Sequence, residues 1–289
     1  MNKKLIILPA ILALVVIACG ETPPAAPPDQ PGVETIVAAT LQAVTQEAAN
    51  NPPPPAGTSV SFQNVSLVIP SGLASGANGE LIPAVDESEG GPWGVAPEYV
   101  QFTLTGYPVP SEGFEPVIRV YPAGEYAEAN PWAEGSITRL QAILASPSME
   151  LTNDNLPTIP FNGAAAQQYA AQAKFVSFQG GNGVRMVSQY SQFPGPITRD
   201  NSFYHYEGLT GDGKYLVAVM FPVVLPLQST SDNPSADGVI YPSDLSDVEG
   251  LNAYVQGITD KLNAASPESF QPNLALLDEL ISSISVLEK

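Results

Sequence analysis

The chain has 289 residues with 29 acidic and 10 basic side chains, a formal net charge of −19, one histidine and one cysteine. That balance argues against nucleic acid or an anionic membrane surface as an electrostatic partner. A lone cysteine excludes a disulfide framework, and one histidine with one cysteine excludes zinc held by the usual ligands.

Lys3 and Lys4 precede the apolar run 5–17, which ends in Ala18-Cys19. A positive start followed by an apolar stretch of this length predicts a secretory signal. The run is too short to span a bilayer as a helix, and Pro9 weakens it further. Val16-Ile17-Ala18-Cys19 resembles the lipobox of bacterial lipoproteins, with Ile17 bulky for its place. The resemblance implies that residues 1–18 are removed and that Cys19 is lipidated. The expected protein is exported, anchored to a membrane through that lipid, with its folded part outside the cytoplasm. Eight basic against 29 acidic residues remain after removal, a net charge of −21.

Nine prolines fall from Pro23 to Pro55, where aromatics are absent; aromatics begin at Phe62 and continue to Phe270. This step predicts a Pro/Ala-rich linker over 19–57 and a single α+β domain over 58–289. Within the linker, Val33, Val37, Leu41, Val44 and Ala48 share one face of a short helix over 33–50. It reads as a stiffening spacer or as a self-association stripe.

In the domain, Val60, Phe62, Val65, Leu67 and Ile69 predict two short strands, or one strand bulged near Asn64. Residues 70–97, rich in Gly, Ser, Glu and Pro, read as a long surface loop. Strands are expected over 99–105 and 117–121, separated by a loop over 108–116. A helix starting at Trp132 or Glu134 carries Ile137, Leu140, Ile143 and Leu144 and stops at Ser146-Pro147. Residues 164–173 suit a helical turn or a strand.

Alternation over 174–179, 184–192 and 202–209 and the apolar run 214–222, with glycine turns at 180–183 and 211–213, predict four consecutive antiparallel strands at the sheet centre. Phe203 and His205 should share one face, Tyr204 and Tyr206 the other; 216–221 should be buried on both. Residues 223–242 form a long loop. Helices over 245–264 and 272–287 close the chain on the sheet. The expected fold is therefore α+β, an antiparallel sheet of about six to eight strands with helices packed on it, two of them C-terminal.

No stretch specifies a reaction. His205, between aromatics in mid-strand, reads as structural. Glu125, Glu128 and Glu134, with Asp86, Glu87 and Glu89, are the candidates for a carboxylate pair. Acids at a helix start also suit its dipole. Asn233, Ser235, Asp237, Gly238, Ile240 and Asp244 match EF-hand-like offsets. Asn at the first place, Asp at the last and no entering helix depart from that pattern, and such residues also simply make loops. Trp93 and Trp132, with Tyr99, Tyr107, Tyr121 and Tyr126 nearby, are candidates to present rings to a sugar or peptide, or to cover the core. No glycine-rich phosphate loop is present, and no cofactor is expected.

The stretches Phe178-Gln179-Gly180-Gly181-Asn182-Gly183-Val184-Arg185 and Gly208-Leu209-Thr210-Gly211-Asp212-Gly213-Lys214-Tyr215 resemble a pattern in uncharacterised envelope lipoproteins. The tyrosine-rich strand, Asp-Gly turn and apolar strand are similar in architecture to the photosystem II extrinsic (PsbP-like) fold. Neither resemblance implies an activity. The expected role is a non-enzymatic binding or assembly module with a protein or glycan partner; a carboxylate hydrolase and a sugar- or peptide-binding lipoprotein are the alternatives.

Overall fold

A computed structural model describes residues 57–110, 115–162 and 165–288. The expected signal, Cys19, residues 20–56 of the expected linker and the expected helix over 33–50 lie outside the described residues, while Gly57 already belongs to the first strand. Residues 55–289 form one compact unit.

Strands β1 (Gly57–Phe62) and β2 (Val65–Pro70) are a hairpin turned at Gln63 and Asn64, with Gln63 in the left-handed region (φ 54°). The alternation of Val65, Leu67 and Ile69 puts all three into the core. Residues 70–97 depart from the expected loop. Strand β3 (Gly76–Ile82) pairs along its whole length with β4 (Tyr99–Thr105), and α1 (Glu87–Gly94) lies between them. Asp86 caps α1, accepting from the backbone of Ser88 and Glu89, and the helix breaks at Gly91 before Pro92.

Strand β5 (Val117–Pro122) runs directly into α2 (Ala123–Ala129), a helix absent from the sequence expectation, and then α3 (Pro131–Leu144). Asn130 joins the two helices. Its Oδ1 accepts from the backbone of Trp132 and Ala133, and its Nδ2 donates to the carbonyls of Trp93 and Val95.

Residues 166–173 of the open stretch belong to a long strand, β6 (Ala166–Phe178). It is followed by β7 (Gly181–Ser191), β8 (Ser202–Thr210) and β9 (Tyr215–Val223). The expected four-residue turn at 180–183 contracts to Gln179 and Gly180 (φ 84°), and Gly181 and Gly183 join β7. Strand β6 slips register twice, between Gln167 and Tyr169 and between Ala171 and Lys174. At the second slip Gln172 adopts φ 57°, and its side-chain amide donates to the last carbonyls of α4 (Val248–Ala264), those of Leu262 and Ala265. The final helix, expected to reach Leu287, is α5 (Leu274–Ser283). Strand β10 (Ser285–Val286) then pairs with β2.

The fold is α+β. A seven-stranded antiparallel sheet has the order β3-β4-β5-β9-β8-β7-β6, and a three-stranded sheet the order β1-β2-β10. The four consecutive strands are present, but β9 lies at the middle and β6 at the edge, because β5 takes the place beside β9. One face of the large sheet packs on α4, α5 and β2 through Phe102, Tyr204, Phe221, Ile258 and Leu277. The other packs on α2 and α3 through Tyr121, Tyr126, Leu140, Met186 and Ala218. Tyr204 and Tyr206 turn to the first face, and 216–221 is buried throughout, as the alternation and the apolar run predict. Each fully buried Leu or Phe contributes roughly 1.5–3 kcal/mol over exposure.

Gly183 and Gly208 face each other across β7 and β8, and the Tyr206 ring lies over both. The Tyr206 hydroxyl donates to the Val176 carbonyl at 3.1 Å. A Cβ at position 183 would sit 2.3 Å from the Glu207 carbonyl oxygen and 2.5 Å from the ring. Gly183→Ala is expected to cost about 1–3 kcal/mol. A urea midpoint equal to that of the parent chain would show instead that the ring yields freely.

Candidate functional site

The polar chemistry of the domain lies under α3. The inner face of that helix is Ala133, Ser136, Ile137, Leu140 and Ile143. Opposite it, the two-residue period of β8 directs Phe203, His205, Glu207 and Leu209 to the same side. Ser136 Oγ donates to Glu207 Oε2 at 2.7 Å, and His205 Nε2 lies 3.2 Å from Glu207 Oε1. All three residues have no solvent exposure.

Serine, carboxylate and histidine occur here in the wrong order for nucleophilic catalysis. The base must stand between hydroxyl and carboxylate to take the hydroxyl proton, whereas the carboxylate stands in the middle here. The surroundings fix the layer further. The backbone N–H of Thr158 donates to Ser136 Oγ at 3.0 Å, Arg139 Nη2 donates to Thr158 Oγ1 at 2.6 Å, and the N–H of Ile159 donates to the Tyr190 hydroxyl at 2.9 Å. His205 Nδ1, the Tyr126 hydroxyl and Arg139 Nε have no hydrogen-bond partner among the described residues. Burial, with the nearby Glu207 carboxylate, pushes the Tyr126 hydroxyl above the ordinary tyrosine range. His205 is thus buried in mid-strand beside Glu207. Glu207 and Ser136 were not singled out by the sequence. The available signal was the alternation of β8, which puts Glu207 beside His205.

On the other face, Arg185 is 1% exposed. Its Nε donates to Asp278 Oδ1 at 3.2 Å and its Nη1 to the Gln172 carbonyl. Asp278 Oδ1 also accepts from the Tyr204 hydroxyl at 2.9 Å, and Oδ2 pairs with Lys174 at 2.7 Å. This cluster ties α5 to β6, β7 and β8.

The carboxylate candidates all lie exposed at the surface. Glu125, Glu128 and Glu134 are exposed, and Asp86, Glu87 and Glu89 belong to the start of α1. Glu125 alone of these lines an open cleft of about 640 Å³, with Glu98, Tyr99, Asp212, Lys214 and Tyr215, at the pole that holds the Asn64 turn. Hydrogen bonds from Thr210 and from the Lys214 backbone hold the Asp212 carboxyl below the ordinary carboxylate range. Lys214 Nζ is shared between Asp212 at 3.3 Å and Glu288 at 2.8 Å. The tyrosines are largely packing groups. Tyr99, Tyr121 and Tyr126 form a stack with centroid separations of 4.4 and 4.2 Å, and the Tyr107 hydroxyl donates to the Pro222 carbonyl. Trp93 and Trp132 are each partly exposed.

In the 233–244 loop the side-chain oxygens serve the loop itself. Asp237 accepts from the backbone of Gln228 and Ser229, Ser235 Oγ from the backbone of Tyr241, and Asp244 from Ser246. The Asn233 backbone N–H bonds to Thr230. Among the described residues no three His, Cys, Asp or Glu side chains gather where they could hold a metal.

The opposite pole is different in character. Gly57 pairs with Pro70, Thr103 with Val117, Val117 with Met220, and Ser202 with Val223. The start of β1, the end of β4, the ends of β7 and β9 and the start of α4 therefore share one end of the domain. Residues 192–201 and 224–247 cover that end, joined by bonds from Arg199 N to the Ser229 carbonyl and from Leu225 N to the Arg199 carbonyl. Four of the five most exposed large apolar side chains among the described residues stand here: Ile240 (79%), Phe193 (70%), Val248 (65%) and Leu245 (52%). A groove of about 570 Å³ lies beside Ile240, lined also by Val239, Ala253 and Tyr254 and edged by Asp244 and Asp247.

No family model matches this chain, and neither a curated protein nor a solved structure matches it.

Proposed function

We propose that this chain is a lipid-anchored, non-enzymatic binding or assembly module held outside the cytoplasm, a reading in line with its resemblance to envelope lipoproteins. Cys19 carries the anchor. A diacylglycerol supplies the two chains that stable anchoring needs, at about 0.8 kcal/mol per buried methylene. No helix among the described residues is long and apolar enough to cross a membrane.

The observation that carries the reading is the clustering of Ile240, Phe193, Val248 and Leu245 at one pole. Exposed apolar side chains gathered at one end of a domain suit a docking face. The hydrolase alternative loses its main support because Glu125, Glu128 and Glu134 are exposed and only Glu125 of them lines the 640 Å³ cleft. The sugar- or peptide-binding alternative finds support in the 640 Å³ cleft, where Tyr99 and Tyr215 stand beside three carboxylates.

Two measurements test the proposal. Mass spectrometry of the membrane-bound protein is expected to find Cys19 as a lipidated N-terminus, and Cys19→Ser is expected to abolish that species; an unmodified Cys19 would remove the anchor. A photo-cross-linking side chain at position 240 is expected to give one discrete protein adduct in intact cells, whereas the same group at exposed Glu128 gives none. Equal labelling at both sites would remove the docking face.

A further inference from the structure

We propose that the groove between Ile240 and Tyr254 docks a basic segment of a partner protein, one that alternates cationic and apolar side chains. This inference rests on the docking-face reading and adds the chemistry of the partner.

The groove has two components. Its floor is apolar: Val239, Ala253 and Tyr254 line it, with the Tyr241 ring packed edge-on against Tyr254 at 5.0 Å. Beyond Tyr241, whose hydroxyl lies 3.5 Å from the Pro194 carbonyl, Phe193 extends the apolar surface onto the neighbouring loop. Its border carries two carboxylates, Asp244 and Asp247. Residues 224–260 contain Asp232, Asp237, Asp244, Asp247, Glu249 and Asp260 and no lysine or arginine. The Ser246 hydroxyl and N–H hold the Asp244 carboxyl below the ordinary carboxylate range, so it is charged at neutral pH.

An apolar floor alone would suit many occupants, and the charge selects among them. An anionic bilayer meets Asp244 and Asp247 on a chain of net charge −19, a repulsion that salt screens beyond a Debye length of about 8 Å. A second copy of the chain brings the same negative border and a net charge of the same sign. A segment with Lys or Arg flanking Leu or Val satisfies both components: its apolar side chains cover Ile240 and the floor, and its cations meet Asp244 and Asp247. Complementary charge also raises the encounter rate.

The test uses the lipidated full chain in zwitterionic nanodiscs, titrated with a labelled peptide of alternating Lys and Leu, with empty nanodiscs as the blank. Ile240→Ser and Asp244→Asn are each expected to weaken binding at least tenfold. Ile240 is 79% exposed, so its replacement leaves the fold intact. Asp247 is kept because its side chain caps α4 by accepting from Gly250 N. A peptide with Ser in place of Leu at equal charge is expected to bind at least tenfold more weakly. Equal affinity for wild type and Ile240→Ser, or equal binding of a Glu-Leu peptide, would overturn the proposal. Were Ile240→Ser to lower adhesion of the domain to vesicles while the Lys-Leu peptide failed to compete, the surface would be a bilayer contact instead. A discrete cross-link at position 240 without peptide binding would leave the docking face standing and remove the charge assignment.

Discussion

Asp278→Ala is expected to destabilise the domain by about 3–5 kcal/mol. Arg185 is the reason. Its guanidinium lies in the core with a side-chain exposure of 2%, and its charge is met by Asp278 and by the Gln172 carbonyl. Removing the carboxylate leaves a buried cation with one neutral acceptor, and also strips the Tyr204 hydroxyl of its acceptor. Lys174 reaches the same carboxylate from a half-exposed position, so Lys174→Met is expected to cost under about 1 kcal/mol. Urea unfolding distinguishes the two: the midpoint should fall sharply for Asp278→Ala and slightly for Lys174→Met, with the slope unchanged. Similar losses from both variants would mean that the surface pair, and not the buried cation, holds α5 on the sheet. Replacing the pair together, Arg185→Met with Asp278→Leu, is expected to restore most of the stability, since the desolvation of both charges disappears with them.

The second large effect is expected at Glu207. Glu207→Ala removes the acceptor of Ser136 Oγ–H and the partner of His205 Nε2 in a layer without solvent, and leaves a cavity beneath α3. One unsatisfied buried polar group costs about 1–3 kcal/mol, so a total of about 3 kcal/mol is expected. Glu207→Gln retains an acceptor at nearly the same volume and should cost less. If Glu207→Ala were neutral in denaturant titration, the layer would not be what fixes α3 over β8. His205 Nδ1 already has no partner among the described residues. His205→Leu is therefore a milder change than loss of the carboxylate that connects both neighbours.

The parts of this fold that could be read from the sequence are those whose signal is local. Strand β4 matches its alternation residue for residue, β8 sorts Phe203 and His205 from Tyr204 and Tyr206, and β9 is apolar because both of its faces are covered. Strand β3 escaped because Gly-Ala-Asn-Gly-Glu-Leu-Ile has little β propensity; its conformation comes from pairing with β4 seventeen or more residues away. Helix α2 buries only Ala123 and Tyr126 and has no side-chain cap, so neither periodicity nor a start signal reveals it. Leu245, expected to open the helix over 245–264, lies ahead of α4, which begins after the Asp247 cap, and is exposed. At the candidate site, charge was legible but exposure was not. Ile240 and Phe193 are ordinary apolar letters until the loops that carry them are seen to lie side by side at one pole. Ser136 and Glu207, 71 residues apart, meet only through tertiary packing.

Strand β6 ends the seven-stranded sheet, and an outer strand normally invites another chain to extend the ladder. Its two register slips prevent this. Where Gln172 turns to a positive φ, the backbone pitch is broken, and its N–H is taken by Asn263 Oδ1 at 2.6 Å. A neighbour adding itself in line would have to copy both irregularities and displace the end of α4. The same few residues that seat a helix therefore close this edge of the sheet to in-line extension.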